Sequence, residues 1–185
     1  MNGSEGVEGR IQASLPESDG RPPLEHWHPE LSGDIDIRIT RDGVWLYQGA
    51  PIARESIVRL FASVLRRESD GDYYLVTPVE KWRIRVDDTP LLAHSLSVTG
   101  DGAAQVLSLT TSVGETLAIG EDHPLTMGTY PGGEPRPVIA VRHGLDARMV
   151  TSAYYDLVGC VVESADDSDS TALGVWSGGK FWKIG

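Results

Sequence analysis

The 185-residue chain has a single cysteine, Cys160, so no disulfide bond can form within it. A chain of this kind fits a reducing compartment, and we expect a cytoplasmic protein. It has no run of about 20 apolar residues, so we expect no membrane-spanning helix. The first 20 residues carry Glu5, Glu8, Glu17 and Asp19 and lack an apolar core, which argues against a secretory signal.

The usual signatures of catalysis are also missing. The sequence has no Gly-x-Ser-x-Gly nucleophile motif, no Gly-x-Gly-x-x-Gly and no Gly-Lys-Ser/Thr phosphate loop. The histidines stand at 26, 28, 94, 123 and 143, and no second His or Cys lies near Glu121-Asp122-His123 at the spacing of a metal site. We therefore expect a protein that is not an enzyme, with no catalytic residues, no metal and no cofactor.

The charge is strongly negative but unevenly distributed. The formal net charge of −11 disfavours binding to duplex nucleic acid, and no membrane partner is expected. Residues 34–85 nevertheless carry nine Lys/Arg against eight Asp/Glu. Such a local excess of cations has two explanations, a solvated face with salt bridges or a site for an anion.

Periodicity predicts a strand-rich protein with two helices. Residues 1–25 are rich in Gly, Ser, Pro and acidic residues and predict a flexible arm. Alternating isoleucines before the turn Asp42-Gly43 predict a β-hairpin, and the apolar stripe of residues 54–67 predicts a helix. Strands are predicted over 73–76 and 79–86.

The second half of the sequence predicts further strands and one helix. Regularly spaced strands are expected at 91–98, 105–112, 115–119 and 138–142, as in an antiparallel sheet, followed by a hairpin of 173–176 and 180–184. Apolar residues at helical spacing predict a helix over 154–163, with Cys160 buried on it. Each predicted helix precedes an acidic turn and an aromatic strand, which indicates two similar halves of antiparallel sheet with one helix each, residues 26–78 and 79–185.

The strand Lys81-Trp82-Arg83-Ile84-Arg85 is the most informative local pattern. Successive side chains of a strand point to opposite faces, so the three cations share one face and Trp82 lies on the other. Arginine and lysine at such spacing are suited to a phosphate or carboxylate. The alternative is a structural network of salt bridges with acids on neighbouring strands.

Several segments combine charged, aromatic, Gly and Pro residues in a specific order, namely Asp36-Ile37-Arg38-Ile39, Arg41-Asp42-Gly43, Gly49-x-Pro51-Ile52-x-Arg54, 58–68, 75–84, Asp122-His123-Pro124, Arg142-x-Gly144-Leu145, Tyr154-Tyr155-Asp156-Leu157-Val158 and Trp176-Ser177-x-Gly179. With these segments, residues 27–185 resemble the bacterial "domain of unknown function 1285" family.

The resemblance implies a duplicated α+β fold whose C-terminal half is similar to pleckstrin-homology barrels. It also implies a nucleotide-like ligand in a cleft between the halves and a role in signal transduction. The candidate ligand-binding residues are Arg38, Arg54, Lys81, Trp82, Arg83, Arg142 and Tyr155.

Two functions follow as expectations. In the first, a non-enzymatic binding protein holds a small anionic, nucleotide-like ligand, with Arg54, Lys81 and Arg83 on the anion and Trp82 or Tyr155 stacked on the ligand. The alternative is a protein–protein interaction module in which the pleckstrin-homology-like half binds a protein partner.

Overall fold

A computed structural model describes residues 3–15, 20–165 and 171–185. The chain divides into two units: unit 1 comprises residues 1–90 together with 142–145, and unit 2 comprises residues 91–141 and 146–185. The sequence placed the boundary after residue 78. The unit boundary lies later because the strand that contains Lys81 pairs with strands of the first sheet.

Unit 1 is built on a six-stranded mixed sheet in the order β3-β2-β1-β6-β5-β4. Its strands are β1 (Leu31–Ile39), β2 (Trp45–Tyr47), β3 (Ala50–Pro51), β4 (Leu65–Arg67), β5 (Tyr73–Val76) and β6 (Lys81–Val86). The predicted hairpin is confirmed, since β1 and β2 are antiparallel and Ile39 pairs with Trp45. At the centre of the sheet, β1 and β6 run parallel.

Two helices belong to unit 1, α1 (Gly3–Ser14) and α2 (Glu55–Ser63). The buried side chains of Ile57 and Phe61 form the apolar stripe of α2. The expected flexible arm is instead helical over α1, with Ile11 fully buried, and it continues into a 3₁₀ turn at Leu24–His26. Residues 1, 2 and 16–19 of that arm lie outside the described part of the chain.

Unit 2 contains a six-stranded mixed sheet in the order β10-β11-β12-β7-β8-β9 and a three-stranded sheet in the order β13-β14-β15. The first sheet consists of β7 (Leu91–Thr99), β8 (Val106–Thr111), β9 (Thr116–Ala118), β10 (Leu125–Thr129), β11 (Pro135–Arg142) and β12 (Leu145–Met149). Helix α3 (Thr151–Val158) then leads to β13 (Val162–Ala165), β14 (Thr171–Ser177) and β15 (Lys180–Lys183).

The two six-stranded sheets have the same topology. In each sheet, the first and last strands in chain order pair in parallel at the centre: β1 with β6, and β7 with β12. The remaining strands extend the sheet outward on both sides as antiparallel neighbours. The fold class is therefore α+β in two similar halves, with the curled, half-barrel sheet expected from the likeness to pleckstrin-homology barrels. The parallel central pairs correct the expectation of purely antiparallel sheets.

Both predicted helices end earlier than the sequence indicated. Helix α2 stops at Ser63 because β4 begins at Leu65, where the chain pairs with β5. Helix α3 covers Thr151–Val158, and Cys160 lies in the following turn, half-buried, with its Sγ 3.5 Å from the Asp156 carbonyl. In the described residues, no helix is long and apolar enough to cross a membrane.

Candidate functional site

One face of the sheet in unit 1 carries most of its charged side chains. The alternation predicted for β6 is confirmed: Ile84 is buried on one face, while Lys81 and Arg83 lie on the other. The antiparallel register sets Tyr74 opposite both Arg83 of β6 and Arg66 of β4, so these side chains share that face. Two concave surfaces lie along it.

The first surface, here called the aspartate pocket, has a volume of about 830 Å³. Its charged lining residues are Asp34, Asp36, Asp72, Asp87, Arg83 and Arg85. Arg83 binds Asp34 through Nε at 2.6 Å and Asp72 through Nη1 at 3.2 Å, and Arg85 binds Asp36 at 2.8 Å. Four carboxylates against two guanidinium groups disfavour a bound anion here.

These ion pairs perturb the ionisation of both partners. Hydrogen bonds to Asp34 and then Asp72 raise the pKa of Arg83 above its ordinary value. The same bond with Arg83 lowers the pKa of Asp34. At Arg83, the structure therefore corresponds to the salt-bridge alternative.

The second surface, here called the basic pocket, has a volume of about 560 Å³. It is lined by Glu25, His28, Pro29, Arg66, Arg67, Glu68, Ser69, Lys81 and His143. Three permanent cations face two carboxylates, and two imidazoles add further hydrogen-bonding nitrogens. All of these residues belong to unit 1.

Glu68 joins two cations of the basic pocket. Its carboxylate lies 2.6 Å from Nη2 of Arg66 and 3.0 Å from Nζ of Lys81. Arg66 also donates through Nη1 to the carbonyls of Leu24 and Trp27. Burial alone would raise the pKa of Glu68, but the hydrogen bonds from Arg66 and Lys81 outweigh it and lower the pKa.

An aromatic ring supports Lys81. Its Nζ lies 4.8 Å from the centroid of the Tyr74 ring, a cation–π contact. The Tyr74 hydroxyl donates to Asp70 at 2.6 Å, and this hydrogen bond raises the pKa of Tyr74 to about 12. Lys81 is thus held between a carboxylate and an aromatic face, with its side chain only 17% exposed.

His143 occupies an unusual backbone conformation, with φ of 48°. Its carbonyl accepts a hydrogen bond from the Arg67 amide at 3.0 Å. Burial lowers the pKa of its imidazole below the ordinary value; Glu25 opposes this shift, and Arg142 acts with it. The neutral imidazole is therefore favoured.

The residues predicted to bind a ligand do not all gather at one pocket. Lys81 lines the basic pocket, whereas Arg83 lines the aspartate pocket. Arg38 forms a two-point ion pair with Asp87, with both distances 2.8 Å. That pairing raises the pKa of Arg38.

Two other predicted residues contact helix α1. Arg54 precedes α2, and its Nη1 lies 3.7 Å from the Glu8 carboxylate. The guanidinium of Arg10 lies over the Trp82 ring, 5.6 Å from its centroid. A Cβ at Gly33 would be 3.3 Å from the Trp82 ring, so this glycine permits the close approach of β1.

The last two predicted residues lie in different units. Arg142 donates to the Ala62 carbonyl at 3.2 Å within unit 1. Tyr155 lies on α3 of unit 2, is 68% exposed, and has its ring 6.1 Å from that of Tyr154. Among the described residues, no three His, Cys, Asp or Glu side chains are grouped as metal ligands.

Sequence reasoning missed most of the basic pocket. The apolar spacing of residues 54–67 predicts a helix that includes Arg66 and Arg67, but both lie on the edge strand β4. His28 and His143 are 115 positions apart in the sequence, and no local pattern links them. One sequence feature could have indicated the pocket. The charged tripeptide Arg66-Arg67-Glu68 is followed by two predicted strands, and Lys81 lies on the second of them.

The fold and pocket define a duplicated α+β protein with a basic pocket in its first unit. A model described as the N-terminal domain of a domain of unknown function (DUF1285) matches residues 22–89, and its C-terminal counterpart matches residues 90–184. The chain belongs to the DUF1285 family.

Two solved structures are similar to this chain. A DUF1285 family protein from Silicibacter pomeroyi DSS-3 is 42% identical, with a TM-score of 0.86 over 100% of this chain and 95% of that chain. A DUF1285 family protein from Shewanella baltica OS155 is 28% identical, with a TM-score of 0.53 over 66% of this chain and 90% of that chain. No curated protein matches the chain.

Proposed function

We propose that the protein is a non-enzymatic binding protein that holds a small anionic, nucleotide-like ligand in the basic pocket. The observation that carries this proposal is the position of Arg66 and Lys81, joined by Glu68, on one concave surface that Arg67 also lines. In a chain of net charge −11, that surface attracts an anion which most of the protein repels. The signalling role expected from the family resemblance is part of the same proposal.

The geometry of the pocket supports a phosphate-bearing ligand. A volume of about 560 Å³ is within the range of sites for nucleotide-sized molecules. Glu68 already bridges two cations, which shows that these donors converge on an oxyanion. Arg67 is exposed at the edge of the pocket; it donates through Nε to the Gly71 carbonyl and lies over the Tyr73 ring, 5.5 Å from its centroid, and its two Nη groups could turn to a ligand phosphate.

A thermal-shift titration with ADP, ATP, cyclic nucleotides and pyrophosphate tests this proposal. At a ligand concentration 100 times Kd, binding stabilises the native state by about 2.7 kcal/mol, an increase in Tm of about 5 °C or more. We expect Arg67→Gln and Lys81→Gln to reduce the affinity at least tenfold.

The matched control is Arg59→Gln, which removes the same charge from an exposed i,i+4 pair with Glu55 on α2. This variant should keep the full ligand-induced shift. The proposal fails if no phosphate compound stabilises the wild-type protein, or if Arg59→Gln loses the shift as completely as Arg67→Gln.

The stability of the protein should depend on His143 in mildly acidic solution. Because its pKa is lowered in the folded state, the unfolded chain takes up the proton first as the pH falls. Protonation below the ordinary pKa therefore favours unfolding. We expect His143→Asn to lose less stability than wild type between pH 7.5 and 5.5 in urea titrations.

Asparagine is the chosen replacement because it tolerates the left-handed backbone of position 143. The control is His94→Asn, which removes a histidine from unit 2. Equal pH profiles for wild type and His143→Asn would show that this imidazole does not couple to folding.

A second candidate function is protein–protein interaction through unit 2. The outer side of α3 exposes Tyr155 and Val158, at 68% and 42%, and aromatic anchors of this type are common in protein interfaces. Tyr155→Ser would abolish such an interaction without changing the ligand-induced Tm shift. A pull-down that compares the two variants Tyr155→Ser and Arg67→Gln separates the two functions.

A further inference from the structure

Helix α1 has a sequence that does not favour a helix by itself. Its 12 residues include Gly3, Gly6 and Gly9, and glycine is a poor helix former. Isolated helices of this length are marginal in water even with good helix formers. The helix is therefore formed because it docks on the body of unit 1.

The docked side of α1 is a narrow apolar stripe. Ile11 is 1% exposed, and Val7 and Leu15, four residues to either side, are half-buried. The neighbouring positions Gly9, Arg10 and Gln12 are exposed. One fully buried side chain thus anchors the helix, and α1 packs against α2.

Charged contacts flank this anchor on the body of unit 1. Arg10 donates to the Glu80 carboxylate at 2.8 Å and lies over Trp82. Glu8 lies 3.7 Å from Arg54. We call the surface formed by Arg54, Glu80, Trp82 and the adjoining side of α2 the α1 groove.

We infer that the α1 groove is a docking site for an amphipathic helix of a partner protein, with α1 as its intramolecular occupant. The groove sets the chemistry of that helix: an acid for Arg54, a base two positions later for Glu80 and Trp82, and an aliphatic residue directly after the base. This order is that of Glu8, Arg10 and Ile11.

The glycines of α1 make it a replaceable occupant. A partner helix with the same contacts and better helix formers binds with less cost in conformational entropy. The groove also lies within the segment matched by the family model, residues 22–89, whereas α1 precedes that segment. The groove therefore belongs to the matched domain, and α1 lies outside that match.

Fluorescence anisotropy with the full chain tests this inference. The probe is a labelled peptide of residues 3–15 that carries Gly6→Ala and Gly9→Ala. In the full chain, Ile11→Asp should undock α1 and increase the affinity for the peptide at least tenfold over wild type. The same two alanines in the full chain should weaken peptide binding, because a Cβ at either position meets no atom within 4 Å and stabilises docked α1.

Two controls keep the test decisive. A peptide with Ile11→Asp should not bind any of the proteins. The full-chain variant Glu8→Gln/Arg10→Gln removes the charged contacts without a change in buried apolar surface, and it should also increase peptide affinity.

The inference is overturned if the peptide binds none of the variants, or binds all of them equally. It is also overturned if both Ile11→Asp and Glu8→Gln/Arg10→Gln unfold the chain, because α1 would then be an integral part of the core. A wild-type chain that is dimeric and becomes monomeric with Ile11→Asp would assign the groove to a second copy instead of a partner.

Discussion

Replacement of Glu68 by glutamine is expected to lower the free energy of unfolding by about 2 kcal/mol at pH 7. The carboxylate bridges Arg66 and Lys81, whose side chains are 14% and 17% exposed. Loss of the negative charge leaves two poorly solvated cations side by side without compensation. The expected loss is smaller than for a fully buried pair because water still reaches all three side chains. Urea denaturation of both proteins measures it.

The matched control for this substitution is Glu55→Gln. Glu55 also pairs with an arginine, Arg59, but its side chain is 85% exposed. Exposed pairs of this kind contribute less than about 1 kcal/mol. An equal loss for Glu55→Gln and Glu68→Gln would contradict the argument from burial.

The pH dependence provides a second check on Glu68. Because its pKa is lowered in the folded state, its contribution to stability is complete above the ordinary carboxyl range and disappears as the pH falls through the lowered pKa. The difference between wild type and Glu68→Gln should therefore be largest near neutrality and should decrease in acid. A difference that is independent of pH would indicate lost packing instead of lost charge.

The same network determines how the basic pocket would respond to a ligand. An anion that enters competes with Glu68 for Arg66 and Lys81. Glu68→Gln should thus bind phosphate compounds more tightly than wild type although the protein is less stable. A higher affinity for phosphate compounds together with a lower stability distinguishes a binding pocket from a purely structural ion-pair network.

Local periodicity was sufficient to predict most strands. The alternation of isoleucines in β1 and of cations in β6 follows from the two-residue repeat of a strand, which needs no knowledge of neighbours. The same local argument fails at residues 64–67. There the apolar stripe continues at helical spacing, but pairing of β4 with β5 outweighs it.

Long-range pairing was not predictable from the sequence. The parallel pair of β1 with β6 joins strands separated by two hairpins and a helix, and no local signal encodes it. This pairing places Asp34 beside Arg83 and so produces the ion pairs of the aspartate pocket. The cations of β6 were therefore recognised from the sequence, whereas their partners were not.

Helix α1 could not be predicted from composition. Its glycines and acidic residues have the composition of a flexible arm, and three glycines argue against a helix. The structure has a helix because Ile11 and Arg10 gain contacts on unit 1 that composition does not reveal. A docked segment with low intrinsic propensity is for the same reason a candidate for exchange with another helix.

The largest loss of stability is expected for Gly174→Ala in the three-stranded sheet of unit 2, at about 3 kcal/mol or more. Gly174 pairs with Lys183 of β15 on one side and Val162 of β13 on the other. A Cβ at this position would overlap the carbonyl oxygen of Trp182 and lie 2.7 Å from the Phe181 ring. The carbonyl is part of the backbone, so the collision cannot be relieved by a change of rotamer.

Gly120→Ala is the matched control for this prediction. It lies in the same unit and adds the same methyl group, but its nearest neighbour, the Ala118 carbonyl, is at an ordinary contact distance of 3.9 Å. We expect its Tm to remain within about 2 °C of wild type, whereas Gly174→Ala should lower the Tm by about 6 °C or more. Equal melting temperatures for the two variants would mean that β14 and β15 separate without loss of the core of unit 2. Trp182, which is buried and donates through its indole N–H to the Ser177 carbonyl at 3.1 Å, is a fluorescence probe for that separation.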